Sequence, residues 1–280
     1  MDQLNLSAWE GRTETARGVV SQPQAQMIHA TLGHGSAPAS GAALPALRHW
    51  CAFPVEAPMD QLGPDGHPKL GGFLPPVPLE RRMWAAGRLR FHKPLHVDEP
   101  LTKSSTIKAV TEKTGGAGRM VFVTVAHEIA GADGLAITEE QDIVYLAIPD
   151  SFTPPKKTPM PASPVLSETV SVTAPLLFRY SAVTFNAHRI HYDRAYTTEV
   201  EHYPGLVVHG PLQATLLVDA ATRHRGGPPT TFTFRGVHPL FDHEDLHLMA
   251  EEDDTGVLAL CAGSSGGHRT MQATATWEET

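Results

Sequence analysis

A proline-rich segment in the middle of the chain limits how this sequence can fold. Residues 149–164, PDSFTPPKKTPMPASP, contain six prolines in sixteen positions. Each proline fixes φ and removes a backbone donor, so neither a helix nor a central strand can run through the segment, which suits an extended linker. We therefore expect two domains, residues 1–150 and 165–280, joined by a linker at 151–164. The length of 280 residues is ample for two buried cores.

Strand-like patterns dominate both halves of the chain. Four segments of the first half have the alternation or β-branched content of antiparallel strands: 88–97, 103–113, 119–130 and 135–148. Three segments of the second half do the same: 230–238, 257–262 and 268–278. Helices are predicted at 23–32 and at 211–223, where apolar residues recur at helical spacing behind Pro211. The pattern predicts an α+β fold built from two similar units.

The charge balance and the cysteines limit the partners and the compartment. The formal net charge is -8, whereas a duplex-binding surface needs excess positive charge, so we expect no nucleic-acid partner. No run of 18 apolar residues is present, so we expect no membrane span. The start of the chain, MDQLNLSAWEG, lacks the basic and apolar regions of a secretion signal, and Cys51 and Cys261 are far apart. These features favour a protein of the reducing cytoplasm.

Polar side chains crowd residues 180–193, YSAVTFNAHRIHYD, just before the helix that is predicted from Pro211. Addition of water to an unsaturated thioester needs a held water, a base near neutrality and donors for the developing negative charge. Asn186 and His191 can hold one water, with the amide oxygen orienting it and the imidazole taking its proton. Backbone N–H groups from Gly210 onward, at a helix N-terminus, suit the oxyanion. We predict Asn186, His191 and Gly210 as the catalytic set, although Gly210 alone also fits an ordinary turn.

The same segment resembles the hydratase-2 motif of the MaoC-like, hot-dog-fold family. In that motif a Tyr-Ser opening leads to an Asp, four intervening residues and a His. Tyr180, Ser181, Asn186 and His191 stand at the corresponding places. Residues 203–219, YPGLVVHGPLQATLLVD, resemble the loop and the central helix that follow.

Residues 81–95, RRMWAAGRLRFHKPL, resemble the catalytically silent N-terminal hot dog of a two-domain subgroup of this family. The resemblance implies a double hot dog, in which each half is a central helix wrapped by an antiparallel sheet, with an acyl-thioester tunnel between the halves. The implied activity is reversible hydration of an enoyl-CoA, with coenzyme A as part of the substrate and no metal or redox cofactor. Since the subgroup includes mesaconyl-C4-CoA and itaconyl-CoA hydratases beside 3-hydroxyacyl-thioester dehydratases, it favours C4–C5 dicarboxylic acyl groups. A homodimer is the expected assembly.

The sequence departs from the family at one position, because many members carry Asp where this chain has Asn186. An amide cannot accept the proton. Either His191 is the sole base and Asn186 positions the water, or the chain only binds acyl thioesters. The segment FNAHRIHYD looks like the Asn-bearing two-domain subgroup and so favours the first alternative. A dehydratase acting on acyl-carrier-protein thioesters is the other enzymatic alternative.

Four further residues are predicted to bind the substrate: Tyr180, Arg189, His209 and Arg235. A guanidinium can grip a carboxylate or a coenzyme A phosphate in bidentate fashion, although an ordinary surface role suits either arginine equally well. Two histidine-rich groups, one at 188–209 and one at 238–247, are candidate metal sites. Neither has a zinc-ligand spacing, so we expect no metal.

Overall fold

The computed structural model describes residues 5–33, 35–116 and 118–278, and its main feature is one antiparallel sheet of ten strands. The strands are β1 (Thr13–Gly18), β2 (Arg81–Phe91), β3 (Leu101–Gly115), β4 (Gly118–Gly131), β5 (Gly134–Leu146), β6 (Leu166–Val170), β7 (Thr231–Gly236), β8 (Leu246–Glu252), β9 (Leu258–Ser264) and β10 (Arg269–Thr276). Their order across the sheet is β1-β3-β4-β5-β2-β7-β10-β9-β8-β6. The α+β architecture predicted from the sequence is confirmed.

The two halves of the chain share this sheet edge to edge. The first five strands in the sheet order come from residues 13–146, and the other five come from residues 166–276. They join where β2 pairs with β7, from Ala86 opposite Arg235 to Arg90 opposite Thr231. Residues 151–164 form no helix or strand, and their one β-bridge joins Pro159 to His268. The boundaries of the two domains stay a prediction.

The described residues form four α-helices, of which α4 packs on the sheet. They are α1 (Gln22–Leu32), α2 (Ala174–Val183), α3 (Arg194–Glu199) and α4 (Gly210–Arg225). α4 has a proline in its first turn, where the missing N–H costs nothing, and it ends at Gly226, whose φ of 77° suits glycine. The side chain of Ser21 caps α1 by accepting the Gln24 N–H. None of the helices in the described residues has the length and hydropathy that a membrane span requires.

The main core lies between the sheet and α4. Leu212 and Leu217 of α4 are fully buried, and so are Phe232 and Leu258 on the strands that it crosses. A smaller core, which includes Val121, Val123 and Tyr145, lies under the connection from 70 to 79 in the first half. The helix is buried on most of its surface because sheet and connecting loops wrap around it.

Most predicted elements are confirmed, with shifts of a few residues at their ends. The segments 103–113, 119–130, 135–148, 230–238, 257–262 and 268–278 correspond to β3, β4, β5, β7, β9 and β10. The segments 23–32 and 211–223 correspond to α1 and α4. The strand predicted at 88–97 is wrong in its bounds, since β2 runs from Arg81 to Phe91 and the chain turns before Pro94. β1, β6, β8, α2 and α3 were not predicted.

Candidate active site

The loop after α2 holds Asn186 in a compact turn. α2 ends where the Thr184 hydroxyl donates to the Tyr180 carbonyl at 2.6 Å. The Asn186 N–H then donates to the Ser181 carbonyl at 2.8 Å, and Asn186 Oδ1 accepts the His188 N–H at 2.9 Å. Oδ1 is thus engaged in the turn, whereas the amide nitrogen Nδ2 has no hydrogen-bond partner among the described residues and is a donor available to a ligand.

His191 ends a short 3-10 turn, Arg189–His191, and its imidazole is held in one tautomer. Nδ1 lies 2.7 Å from the Val207 carbonyl, so Nδ1 carries the proton that it donates, and Nε2 carries a lone pair. Nε2 has no hydrogen-bond partner among the described residues and is not sealed from solvent. Burial lowers the pKa of His191 to about 4, although the Val207 carbonyl opposes the shift. The ring is therefore a neutral proton acceptor at pH 7.

His209 lies in a layer behind His191. The two rings stack with centroids 3.7 Å apart, and His209 Nε2 is 2.8 Å from the Ser181 hydroxyl. Tyr180 packs edge-on against the His209 ring at 5.0 Å. Because His209 is completely buried, its position supports the His191 ring rather than a direct contact with substrate.

α4 begins beside this pair of histidines. An added Cβ at Gly210 would lie 3.9 Å from the Trp84 carbonyl and 3.9 Å from Met271 Cε, so the helix start abuts β2. The first N–H groups of a helix have no intrahelical acceptor, and the end of a 16-residue helix carries partial positive charge. This helix start can stabilise an oxyanion.

A cleft of about 640 Å³ runs between the two halves, which is within the size range of small-molecule sites. Most of its lining is apolar or aromatic, including Trp50, Phe53 and Trp84 from the first half and Tyr180 and Phe185 from the second. Its polar lining includes His67, Lys103, Glu139 and Asn186. The cleft combines an apolar chamber with a few polar groups, as expected for an acyl-thioester site.

A loop from the first half, residues 63–67, docks on the turn that holds Asn186. The Arg189 N–H donates to the Asp65 carbonyl at 2.9 Å. The His67 ring lies 4.1 Å from the His188 ring, and His67 Nδ1 is 2.7 Å from Asp65 Oδ2. Sequence analysis missed these residues, because their sequence, GPDGH, reads as an ordinary turn and lies some 120 residues before the site.

Three of these side chains, Asp65, His67 and His188, have ligand-type atoms within 4.8 Å of one another, which a metal ion can bridge. The facing atoms of Asp65 and His67 are hydrogen-bonded to each other, so we assign this cluster to hydrogen bonding. The absence of a metal and of a redox cofactor stays a prediction.

The structure gives the other predicted substrate-binding residues different surroundings. Tyr180 lines the cleft. Arg189 does not, because its guanidinium donates twice to Asp193 Oδ2 and once to the Pro64 carbonyl. Arg235 is exposed and alternates with the buried Phe234 on β7, which places it on the outer face of the sheet. Neither arginine is brought to the cleft.

Solved structures with the same architecture cover almost the whole chain. A MaoC-like dehydratase from Phytophthora capsici superposes with a TM-score of 0.74 at 12% identity, over 99% of this chain and 98% of that one. A Mycobacterium tuberculosis protein with a double hotdog fold gives a TM-score of 0.58 at 14% identity, over 95% of each chain. At these identities the likeness shows the fold alone, and it confirms the predicted double hot dog. Fold and site together define a double hot-dog protein with a cleft suited to hydro-lyase chemistry.

Sequence comparison gives the family. The profile of the hydroxyacyl-thioester dehydratase type 2 family matches residues 47–242, and the chain belongs to this family. The mesaconyl-C(4)-CoA hydratase of Chloroflexus aurantiacus is 44% identical over 270 residues, which is 95% of this chain and 96% of that protein. The protein is therefore an enzyme of the hydro-lyase class.

Proposed function

We propose that this enzyme adds water reversibly to the double bond of an enoyl-CoA thioester, with C4–C5 dicarboxylic acyl groups as its preferred substrates. The hydration is supported by the family and by the cleft between the halves. The preference is supported by 44% identity to a mesaconyl-C(4)-CoA hydratase. In a mesaconyl-C4 thioester, the free carboxylate and a methyl group are both carried by the β-carbon.

The observation that carries the proposal is the neutral, correctly oriented imidazole of His191. Its Nδ1–H is fixed on the Val207 carbonyl, so Nε2 takes a proton from water while the hydroxyl adds to the β-carbon. The electron pair of the double bond moves to the thioester oxygen, where N–H groups at the start of α4 stabilise the enolate. The imidazolium then returns its proton to the α-carbon, which restores neutral His191 and balances the reaction.

Asn186 orients the water in this mechanism and takes no proton. Its Oδ1 already accepts the His188 N–H, and its free Nδ2 donates to the water oxygen, with one water hydrogen directed at His191. The sequence-based hypothesis assigned the water to the amide oxygen, and this proposal assigns it to Nδ2. Since hydration transfers no electrons, the proposal needs no redox cofactor, and coenzyme A takes part only as a portion of the substrate.

Replacement of the proposed base tests the mechanism. His191→Ala should lower kcat by at least about a hundredfold, the scale of general acid–base catalysis. Asn186→Asp should remain active, because a carboxylate also holds a water, whereas Asn186→Ala should be impaired. Hydration of crotonyl-CoA, followed by loss of enoyl-thioester absorbance, measures all three. His92→Ala is the matched control, because His92 is exposed and lies far from His191 along the chain. Full activity of His191→Ala would remove His191 from the mechanism.

One other function predicts a different result in this assay. A carrier-protein dehydratase would turn over an acyl-carrier-protein thioester and not its coenzyme A counterpart.

The cellular setting and the assembly are also proposals. A reducing cytoplasm is supported by two buried free cysteines, Cys51 and Cys261. A homodimer is the proposed assembly, which sedimentation would test.

A further inference from the structure

One polar cluster beside the cleft has no part in the proposed hydration. It comprises Asp65 and His67 on the 63–67 loop and Arg82 on β2. His67 lines the cleft, as Asn186 does. Its ring lies 4.1 Å from His188, whose ring lies 5.3 Å from His191, so two ring contacts separate His67 from the base. His67 is therefore an imidazole of the cleft lining that lies close to the proposed base.

The net charge of this cluster allows it to bind one more anion. Asp65 is ionised: burial opposes its charge, but the contacts with His67 and the positive charge of Arg82 hold its pKa below the usual range. Arg82 is half-buried, forms no salt bridge within the described part of the chain, and donates a long hydrogen bond of 3.5 Å to the Pro68 carbonyl. Burial lowers the pKa of His67, although the hydrogen bond to Asp65 opposes the shift, so this ring is neutral in the empty cluster. The charges of Asp65 and Arg82 cancel, so the empty cluster is close to neutral.

The groups that face His67 from neighbouring elements add no charge. The pKa of His188 lies well below its usual value, mainly because the ring is buried and also because neighbouring groups carry charge. This ring is therefore neutral. Burial raises the pKa of Tyr145, which lies opposite Arg82 on β5 and is neutral as well. Since Nδ1 of His67 already donates to Asp65, a carboxylate at Nε2 would be met by a second N–H, with one proton taken up from solvent.

We propose that His67, backed by Asp65 and Arg82, binds a carboxylate carried on the β-carbon of the acyl group. This subsite would distinguish dicarboxylic from monocarboxylic acyl thioesters and would replace the role first predicted for Arg189 and Arg235. The proposal rests on the proposed function, because that function places the β-carbon at His191.

Binding of two unreactive thioesters tests the subsite without turnover. Succinyl-CoA carries a carboxylate on its β-carbon, and butyryl-CoA carries a methyl group there. Calorimetry in the presence of EDTA should show that the wild type binds succinyl-CoA at least about tenfold more tightly than butyryl-CoA. This difference is a modest part of the binding free energy that a desolvated charge pair can contribute. His67→Leu and Arg82→Gln should each remove most of this preference and change butyryl-CoA binding by less than about threefold. Arg88→Gln, on the outer face of β2 and paired with Asp142, is the matched control and should leave both affinities unchanged.

The outcomes separate this proposal from the hydratase assignment. Equal affinity of the wild type for both ligands would overturn the subsite, and so would equal losses for both ligands in the His67→Leu and Arg82→Gln enzymes. Succinyl-CoA binding that EDTA abolishes would point to a bridging metal and would also overturn it. A wild type that shows the binding preference but hydrates neither crotonyl-CoA nor mesaconyl-C4-CoA would contradict the proposed function. If His67→Leu fails to fold by thermal melting, Arg82→Gln still decides the question.

Discussion

His191 is neutral because its ring is largely buried and has no acidic partner among the described residues. Burial is the largest cause of its lowered pKa, and the Val207 carbonyl and the stacked His209 ring bring no negative charge to the imidazole. An aspartate at position 186 would supply such a charge, but this chain has Asn186. Nε2 of the base therefore stays unprotonated over a wide pH range, although the lowered pKa also makes it a weaker base.

The pH dependence of turnover follows from this environment. The unprotonated imidazole is the active form, so a pKa lowered to about 4 keeps the wild type active as the pH falls. We expect kcat/KM for crotonyl-CoA, which has no second carboxylate, to be nearly level from pH 8 to pH 5 and to fall only near pH 4. Asn186→Asp should move this acid limb to higher pH, because a nearby carboxylate stabilises the imidazolium. A wild-type midpoint near 6.5, or an unmoved limb in Asn186→Asp, would contradict this account.

At the residue scale, the sequence points to candidate side chains that are close to one another along the chain. Asn186, His191 and Gly210 lie within 25 residues of one another, and their spacing together with the family resemblance made them candidates, whose catalytic roles stay a prediction. His67 meets His188 only because two halves of the chain pack together, and no local pattern reports that contact. Arg235 was a candidate because of its charge, which does not indicate that it lies on the outer face of β7.

At the scale of elements, the 63–67 loop acts as a clamp on the turn that follows Asn186. Gly66 has a φ of +88°, and a Cβ added there would lie 2.0 Å from the Ala187 carbonyl oxygen. The backbones of loop and turn are therefore in direct contact, and only glycine permits that approach. The first half thus fixes the geometry of the proposed catalytic turn, although the family resemblance suggests that this half is catalytically silent.

Gly66→Ala should disturb this clamp. The strained backbone and the steric clash should cost about 1–3 kcal/mol of stability. The shift of the turn should lower kcat roughly tenfold to a hundredfold, with a smaller change in KM, because small misplacements of catalytic groups are costly. Gly72→Ala is the matched control, since nothing lies within 4 Å of its added Cβ. Melting curves and steady-state kinetics on both variants measure these effects, and an unchanged kcat in a destabilised Gly66→Ala would show that the clamp serves stability alone.

The strength of the sequence pattern explains why some strands and helices were predicted and others were missed. β4 was predicted because Val121, Val123 and Val125 alternate with partly exposed residues over a long strand. β6 and β8 were missed, because β6 has only five residues and β8 follows a histidine-rich stretch without a clear period. α2 begins at Ala174 and includes Tyr180 and Ser181, so two residues of the predicted motif lie on a helix that was not predicted.

For the whole molecule, buried ion pairs reinforce the junction between the halves. Arg81 of β2 donates to a Glu201 carboxylate oxygen at 2.7 Å and to the Glu201 carbonyl at 2.7 Å, and both side chains are almost fully buried. Arg48 makes a second such contact with Asp219 of α4 at 2.7 Å. Both pairs join residues from before the proline-rich segment to residues after it. The cleft between the halves therefore depends on contacts that neither half makes alone.

Removal of one partner from the Arg81–Glu201 pair should destabilise the whole molecule. Arg81→Met leaves the Glu201 carboxylate buried without its counter-charge, at a cost of about 3–5 kcal/mol. Adding Glu201→Gln should recover part of that loss, because the second change removes the uncompensated charge. Arg90→Met is the matched control: its pair with Glu278 lies at the surface and should contribute less than about 1 kcal/mol. Denaturant unfolding measures the free energy of unfolding of each protein. The wild type, Arg81→Met, Glu201→Gln and the double variant form a double-mutant cycle, and Arg90→Met is measured beside them. A loss in Arg81→Met no larger than in Arg90→Met would mean that sheet pairing between β2 and β7, with the apolar core, is sufficient to hold the halves together.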